Sequence, residues 1–233
     1  MLPGEISMAH NGVLFLDELP EFKRSALEVL RQPMESHSIL ISRARSTVEY
    51  PSNFMLIAAM NPCPCGNFNH PEKECTCGPG LVLKYLNRVS GPLFDRIDIQ
   101  IQVTPLGILD MQGGSISESS KTIQKRVMCA REIQVQRMNS LEGQAHPFGG
   151  HFSQVYPNSR IQKKWINQIC ALDLPSRSLL KKAMEGLKLS ARAYDHILKV
   201  SRTLADLDLK ESIGRVHVAE AIQYRSLDRN SWS

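Results

Sequence analysis

Long apolar runs are missing from this 233-residue chain. No stretch approaches the roughly 20 apolar residues that a membrane-spanning helix needs. The first residues, Met1–Glu5, contain neither the basic start nor the apolar core of a secretory signal. Internal repeats and low-complexity tracts are also absent. We therefore expect a soluble, cytoplasmic protein with no membrane partner.

The chain also lacks the phosphate-binding signature of P-loop enzymes. The pattern Gly-x-x-x-x-Gly-Lys-Ser/Thr occurs nowhere in it, and no glycine-rich loop precedes a helix near its N-terminus. The backbone N–H groups and the lysine of that loop supply most of the field that holds the β- and γ-phosphates of a nucleotide. We therefore predict that the chain alone binds ATP weakly or not at all and does not hydrolyse it.

The composition is sufficient for a folded core. Hydrophobic residues make up 42% of the chain and charged residues 22%, and the length suits one domain plus a smaller one. The formal net charge of +5 permits binding to a polyanion, but a modest basic excess is also common on solvated surfaces. The position of the basic residues is therefore more informative than their number.

An apolar run that ends in two carboxylates is the most informative motif. Val13–Leu16 is apolar at every position, which predicts a parallel strand buried on both faces, and Asp17 and Glu18 follow it directly. At the carboxyl end of such a strand, Asp17 can hold Mg²⁺ while Glu18 orients or deprotonates a water, the Walker B arrangement of an ATPase. The alternative is an acidic helix N-terminus, because Glu18 and Glu21 also suit a first helical turn.

A second apolar run, Phe54–Met60, ends at Asn61. A predicted helical stretch, Glu21–Ser36, separates it from the carboxylates. A polar amide at the end of a strand beside Asp17 can hydrogen-bond the γ-phosphate or the attacking water, which is the role of a sensor residue.

Arg96 lies between a short helix-like piece and a predicted strand, Ile97–Val103. An arginine in that place can reach the phosphates bound by a neighbouring subunit and stabilise transition-state charge. The alternative is a structural ion pair with Asp95 or Asp98.

A basic hairpin is predicted before Asn61. Two β-prone arms, Ile39–Ser42 and Thr47–Tyr50, flank a tip that carries Arg43 and Arg45. An ordinary basic turn is the alternative interpretation.

Four of the six cysteines are close together in the sequence: Cys63, Cys65, Cys75 and Cys77. In a cytosolic chain, four such thiols favour a tetrahedral Zn²⁺ site over disulfides. That metal would be structural, because four thiolates leave no open coordination position. A loop of free thiols is the alternative, since Cys-x-Cys pairs are less usual than Cys-x₂-Cys pairs.

In this order the motifs resemble the AAA+ superfamily, and within it the magnesium-chelatase-like family of ComM and YifB. Besides the carboxylates and Asn61, the motifs Phe94–Asp98 and Leu189–Tyr194 carry the resemblance to the superfamily. The resemblance to the family covers nearly the whole chain and is carried by the segments Gly4–Pro20, Ala58–Gly66, Tyr85–Pro92 and Ala219–Arg229. It implies a ring-forming, hexameric ATPase that uses ATP and Mg²⁺. For ComM it implies a DNA helicase that drives branch migration during natural transformation.

The resemblance also assigns roles to individual arginines. Arg192, near the start of its helix, matches the sensor 2 arginine that contacts a phosphate, whereas Lys199 and Arg202 are expected to be solvated. In helicases of the related clade a hairpin before sensor 1 points into the ring channel. This implies that Arg43 and Arg45 follow the backbone of single-stranded or branched DNA.

The family carries its P-loop upstream of the carboxylates, behind an amino-terminal domain that resembles the Lon protease fold. The resemblance therefore identifies this chain as a C-terminal part of such a protein. We expect an α/β fold in which residues 1–105 form the second half of a P-loop AAA+ sheet and residues 106–233 form a linker and a helical lid domain. The helices expected there are Ser120–Met138, Arg160–Cys170, Ser176–Gly186, Ser190–Leu207 and Val216–Tyr224.

Two functions besides a DNA helicase remain open at this point. The same motifs serve chelatase-type ATPases that remodel a protein partner. A chain of this length without a P-loop can also be a non-catalytic interaction module.

Overall fold

The computed structural model describes residues 3–43, 46–103, 118–142 and 157–225. The chain divides into two compact units between Ile97 and Asp98. The predicted domain boundary after residue 105 lies outside the described residues. None of the helices in the described ranges is long and apolar enough to cross a membrane.

The first unit mixes short helices with two small sheets, and its hydrophobic core includes Leu19, Leu27 and Leu93. A 3₁₀ turn at Leu19–Glu21 follows the first strand. The other elements, in chain order, are α1 (Glu5–Met8), β1 (Val13–Leu16), α2 (Arg24–Val29), α3 (Pro33–Ser36), β2 (Ser38–Arg43), β3 (Ser46–Pro51), β4 (Met55–Ala58), α4 (Pro79–Leu86) and α5 (Gly91–Phe94).

Strands β1 and β4 pair in parallel, with Val13 opposite Met55 and Leu16 opposite Ala58. The parallel pairing was predicted, but the burial of β1 on both faces was not correctly predicted. Val13 is 50% exposed and Phe15 is 59% exposed, whereas Leu14 and Leu16 pack against the core. An all-apolar strand needs a layer on each side of its sheet, and the described residues cover only one side.

Two further predictions for this unit are corrected. The stretch Glu21–Ser36 is not one helix, because Pro33 lacks the N–H that a continuous helix needs and instead begins α3. The segment Ile97–Val103 is irregular rather than a strand. A strand requires a hydrogen-bonded neighbour, and the isolated bond from Gln100 N–H to the Tyr224 carbonyl is not a ladder.

The predicted hairpin is present. Strands β2 and β3 are antiparallel, and their register pairs Ser38 with Pro51 and Arg43 with Ser46. Cross-strand hydroxyls of Ser42 and Thr47 lie 3.0 Å apart near the tip. Arg43 therefore ends β2, and Arg45 lies outside the described residues.

The second unit is helical, as predicted. Its elements are a 3₁₀ turn at Asn158–Arg160, α6 (Ser120–Glu142), α7 (Lys163–Ile169), α8 (Leu174–Gly186), α9 (Ala191–Leu207) and α10 (Arg215–Gln223). Asp173 caps α8 by accepting the Ser176 N–H at 2.8 Å, and Ser190 caps α9 by accepting the Ala193 N–H at 3.2 Å. Buried apolar residues of α7 to α10 form the core of this unit.

Arg202 and Lys199 are not solvated, contrary to expectation. Arg202 is 2% exposed; its Nε donates to Asp206 Oδ1 at 3.0 Å, and its Nη atoms donate to the carbonyls of Glu211 and Lys210. Lys199 is partly buried and donates to the Ser159 carbonyl at 2.8 Å. Burial lowers the pKa of both side chains. Helical periodicity alone does not show that the loop after α9 folds over this face and encloses it.

Candidate functional site

The parallel pairing of β1 and β4 brings three predicted residues to one edge of the sheet. Asp17 and Glu18 follow β1 directly, and Asn61 lies three residues beyond β4. The hydrogen-bond ladder continues past the strands, since Ala59 N–H donates to the Leu16 carbonyl and Leu19 N–H donates to the Ala59 carbonyl. The side chains of Asp17, Glu18 and Asn61 are all exposed to solvent at this edge.

Glu18 turns the chain away from the strand. Its backbone is left-handed, with φ 50° and ψ 47°, a conformation that is costly for a residue with a Cβ atom and is frequent at functional sites. The Asp17 Oδ1 atom accepts the Glu18 N–H at 2.9 Å. This turn buries Leu19 and Pro20 while both carboxylates stay in solvent.

A basic depression lies beside this turn, and its members were not singled out as site residues from the sequence. It has a volume of about 560 Å³, and Arg24, Lys84 and Arg88 are among its lining residues. Arg88 donates to Glu21 Oε2 at 2.8 Å and to the Pro20 carbonyl at 3.3 Å. Arg88 could have been identified from the sequence, because it lies within Tyr85–Pro92, one of the segments that carry the family resemblance. Glu21 also lines the depression, so its three basic side chains leave an excess of positive charge that suits an anionic group.

Arg96 is held inside the first unit rather than extended into solvent. Its side chain is 11% exposed, and its Nη2 atom lies 2.5 Å from Glu35 Oε1. A second guanidinium nitrogen donates to the Pro92 carbonyl. Its buried Nε has no hydrogen-bond partner among the described residues. Glu35 was not identified from the sequence, because 60 intervening residues hide the pairing.

Arg192 is the second residue of α9 and is partly buried. Arg43 ends β2 at the hairpin tip, and only its backbone is described. Of the two arginines predicted to contact DNA, the structure therefore gives only the backbone position of Arg43, and Arg45 lies outside the described residues.

The four clustered cysteines converge in space. Their Sγ atoms all lie within 4.8 Å of one another, and the separations are 3.4 Å from Cys63 to Cys65, 3.7 Å from Cys63 to Cys75 and 3.6 Å from Cys65 to Cys75. Cys63 is fully buried and accepts the Phe68 N–H at 3.3 Å. The other two cysteines, Cys129 and Cys170, lie elsewhere in the chain and are not part of this group.

The thiols in this group perturb one another. A hydrogen bond from the backbone of Asn67 lowers the pKa of Cys65 to about 5. At Cys75, a hydrogen bond from the backbone of Cys77 also lowers the pKa. Burial and the hydrogen-bonded thiols of Cys65 and Cys63 outweigh it and raise the pKa of Cys75 to about 12. Burial raises the pKa of Cys77 as well. At these Sγ separations, the negative charge of one thiolate disfavours the ionisation of a second thiol unless a cation lies between the two sulfurs.

Comparison with known proteins accounts for both units. Residues 1–111 match the family described as magnesium chelatase, subunit ChlI, and residues 117–225 match the family described as magnesium chelatase, subunit ChlI C-terminal. The chain is 44% identical over 229 residues to the uncharacterized protein YifB of Salmonella typhimurium and to that of Escherichia coli. It is 42% identical over 228 residues to the competence protein ComM of Haemophilus influenzae.

These matches cover 97% of this chain but only 41–42% of each relative. The chain thus spans about two-fifths of the length of the curated relatives it matches. With matches to both chelatase-type families and with such identities along nearly its whole length, the chain belongs to the magnesium-chelatase-like family of AAA+ proteins that includes YifB and ComM.

Proposed function

We propose that this chain supplies the catalytic edge of a ring-forming ATPase that moves DNA. The observation that carries the proposal is the placement of Asp17, Glu18 and Asn61 at the carboxyl ends of two adjacent parallel strands. This is the edge at which open α/β sheets bind ligands. Both carboxylates are exposed there and available to a metal-bound nucleotide.

Each residue at the edge has a distinct task in this proposal. Asp17 holds Mg²⁺ directly or through water, since carboxylate oxygens suit that hard cation. Glu18 orients or deprotonates the attacking water, and Asn61 hydrogen-bonds the γ-phosphate or that water. The tight binding of ATP requires a P-loop, whose signature does not occur in these 233 residues.

Two arginines complete the proposed chemistry. Arg96 acts on the nucleotide of a neighbouring subunit, where its charge stabilises the transition state. For this it must leave its ion pair with Glu35 or move together with it. Arg192 contacts a phosphate as a sensor from the start of α9. A closed ring, with six subunits by resemblance to the family, places such residues at every subunit interface.

DNA is the proposed substrate of the motor. The β2–β3 hairpin has Arg43 at the end of one strand, with Arg45 two residues further along the chain. Cations at a hairpin tip can follow the phosphate backbone of single-stranded or branched DNA without reading bases. The similarity to a relative named a competence protein favours a role in competence. Branch migration during natural transformation is the more specific role that we propose from the resemblance to the ComM family.

A chelatase-like ATPase that remodels a protein is the second candidate. The description of the matching families as magnesium chelatase subunits favours it. The two candidates differ in what stimulates ATP hydrolysis. In a longer protein in which a family P-loop segment precedes this chain, we expect single-stranded or branched DNA to raise the ATPase rate. A rate that ignores DNA but rises with a protein partner would support the remodelling function instead.

The catalytic edge has its own test in that longer protein. Glu18→Gln should leave ATP binding intact and abolish turnover, because the amide keeps the size of the side chain but cannot act as a base. The matched control is Glu185→Gln, an exposed glutamate on α8 that lies outside the proposed machinery; it should retain full turnover. Equal loss of ATP binding and turnover in Glu18→Gln would instead assign Glu18 a structural role.

A further inference from the structure

The spacing of the four cysteine sulfurs is that of a single tetrahedral metal site. Zinc–sulfur bonds of about 2.3 Å place two sulfurs of a tetrahedron about 3.8 Å apart. The Sγ separations of 3.4, 3.6 and 3.7 Å among Cys63, Cys65 and Cys75 approach that value, and Cys77 lies within the same 4.8 Å group. A disulfide would need two sulfurs about 2.05 Å apart.

The surroundings of the four sulfurs are ordered by hydrogen bonding and packing. Cys63 is fully buried, and the Phe68 N–H points at its sulfur. An N–H donor of this kind stabilises a thiolate ligand from outside the coordination shell. Behind the sulfurs, the loop packs against three buried residues of α4: Val82, Tyr85 and Leu86. The backbone that carries the ligands is therefore fixed by packing on one side.

The chemistry of the donors selects the class of metal. Four sulfur donors suit Zn²⁺, whereas Mg²⁺ and Ca²⁺ require oxygen ligands. A cluster of several iron atoms would hold the cysteine sulfurs further apart, because the irons and bridging sulfides lie between them. Sulfurs within 4.8 Å of one another leave space for one ion at their centre.

We propose that Cys63, Cys65, Cys75 and Cys77 bind one structural Zn²⁺ that fastens the loop 63–77 to α4. Four thiolates close the coordination shell, so the ion has no catalytic position. The site also anchors the catalytic edge. Met60 packs against both the first-unit core and the cysteine group, and Asn61 lies between Met60 and Cys63. The proposed metal binding does not depend on ATPase function. Only the catalytic benefit of holding Asn61 in place rests on the proposed function.

The first experiment measures metal in the full chain, purified without chelators and exposed to equimolar Zn²⁺ before gel filtration. We expect about one Zn²⁺ per chain. Cys65→Ser combined with Cys77→Ser should lose it, since hydroxyls are poor ligands in a site built for thiolates. The matched control is Cys129→Ser, which changes an exposed cysteine outside the group and should keep the full zinc content.

A second measurement remains valid if the double variant fails to fold. Wild-type chain loaded with Co²⁺ should show the visible absorption of a tetrahedral thiolate complex, and Zn²⁺ should displace it. A chelator should make the loop 63–77 more sensitive to protease in the wild-type chain, because metal binding and local folding are linked. No bound zinc in the wild-type chain, or zinc retained by the folded double variant, would overturn the proposal. Neither readout requires nucleotide, so the proposed ATPase function can fail independently.

Discussion

Replacing Asp206 by Asn should destabilise the helical unit far more than an ordinary surface substitution. Asp206 is completely buried on α9. It pairs with Arg202, with Arg137 on α6, and with the amide of Asn158, whose Nδ2 donates to Oδ2 at 2.8 Å. One carboxylate therefore compensates two largely buried guanidinium groups that come from different helices.

The magnitude follows from what the substitution leaves behind. Asparagine has nearly the same shape as aspartate, so no cavity forms and the loss is electrostatic. Two buried cations lose their counter-charge, and the new NH₂ group faces N–H donors that the carboxylate had accepted. Breaking a buried ion pair from one side typically costs about 3–5 kcal/mol. We expect a loss in that range in the free energy of unfolding.

The assay is urea unfolding followed by tryptophan fluorescence. Trp165 packs against the core of the helical unit. The other tryptophan of the chain, Trp232, is replaced by Phe so that Trp165 alone reports unfolding. Glu185→Gln removes an exposed carboxylate and should change stability by less than about 0.5 kcal/mol. Adding Arg137→Met to Asp206→Asn should recover part of the loss, because one uncompensated buried cation disappears. A loss below about 1 kcal/mol, or no recovery, would refute this reasoning.

Three further predictions concern nucleotide and DNA: the first is tested on the isolated chain, and the other two are tested on the longer protein in which a P-loop segment precedes it. The isolated chain should show no ATP binding in the micromolar range by calorimetry, because it lacks the phosphate cradle. Mixing Arg96→Ala subunits with Glu18→Gln subunits should restore some ATPase activity if Arg96 acts in trans, since mixed rings contain interfaces in which both residues are intact. Co-assembly without recovery would assign Arg96 to its ion pair with Glu35. Arg43→Ala with Arg45→Ala should weaken DNA binding for all sequences alike, lower the log–log salt slope by about one unit per lost phosphate contact, and spare basal ATPase. Unchanged affinity and slope would contradict the role of the hairpin.

The elements that could be predicted are those whose signals are local. The apolar run before Asp17, the alternating arms around Arg43 and the amphipathic pattern of α9 each lie within a few turns or a few strand residues. The spacing of apolar residues over such a short segment predicts a helix or a strand from the segment's own sequence, provided that there is a core for its apolar face to pack against. The cysteine group was predictable for a related reason, since four cysteines between residues 63 and 77 supply the number of ligands that a tetrahedral metal site needs.

Elements that depend on a neighbour were not predictable in the same way. A run apolar at every position predicts a strand covered on both faces, yet Val13 and Phe15 are exposed because the described residues cover only one side of the sheet. The segment Ile97–Val103 has β-prone residues, but none of the residues that the structure describes forms a strand beside it to complete a ladder. β-Propensity describes which backbone conformation a residue favours, whereas strand pairing and burial depend on which other segment packs beside it.

By itself, the sequence therefore determined the order of the motifs, the two strands before the carboxylates and Asn61, the basic hairpin, and the family to which the chain belongs. Only the tertiary structure decided the partners of its charged side chains. Arg96 pairs with Glu35, and Arg137 pairs with Asp206 across 69 positions of sequence. The physical reason is that the energy of a charge depends on its solvation and on the counter-charges around it, and both arise only when distant segments pack together.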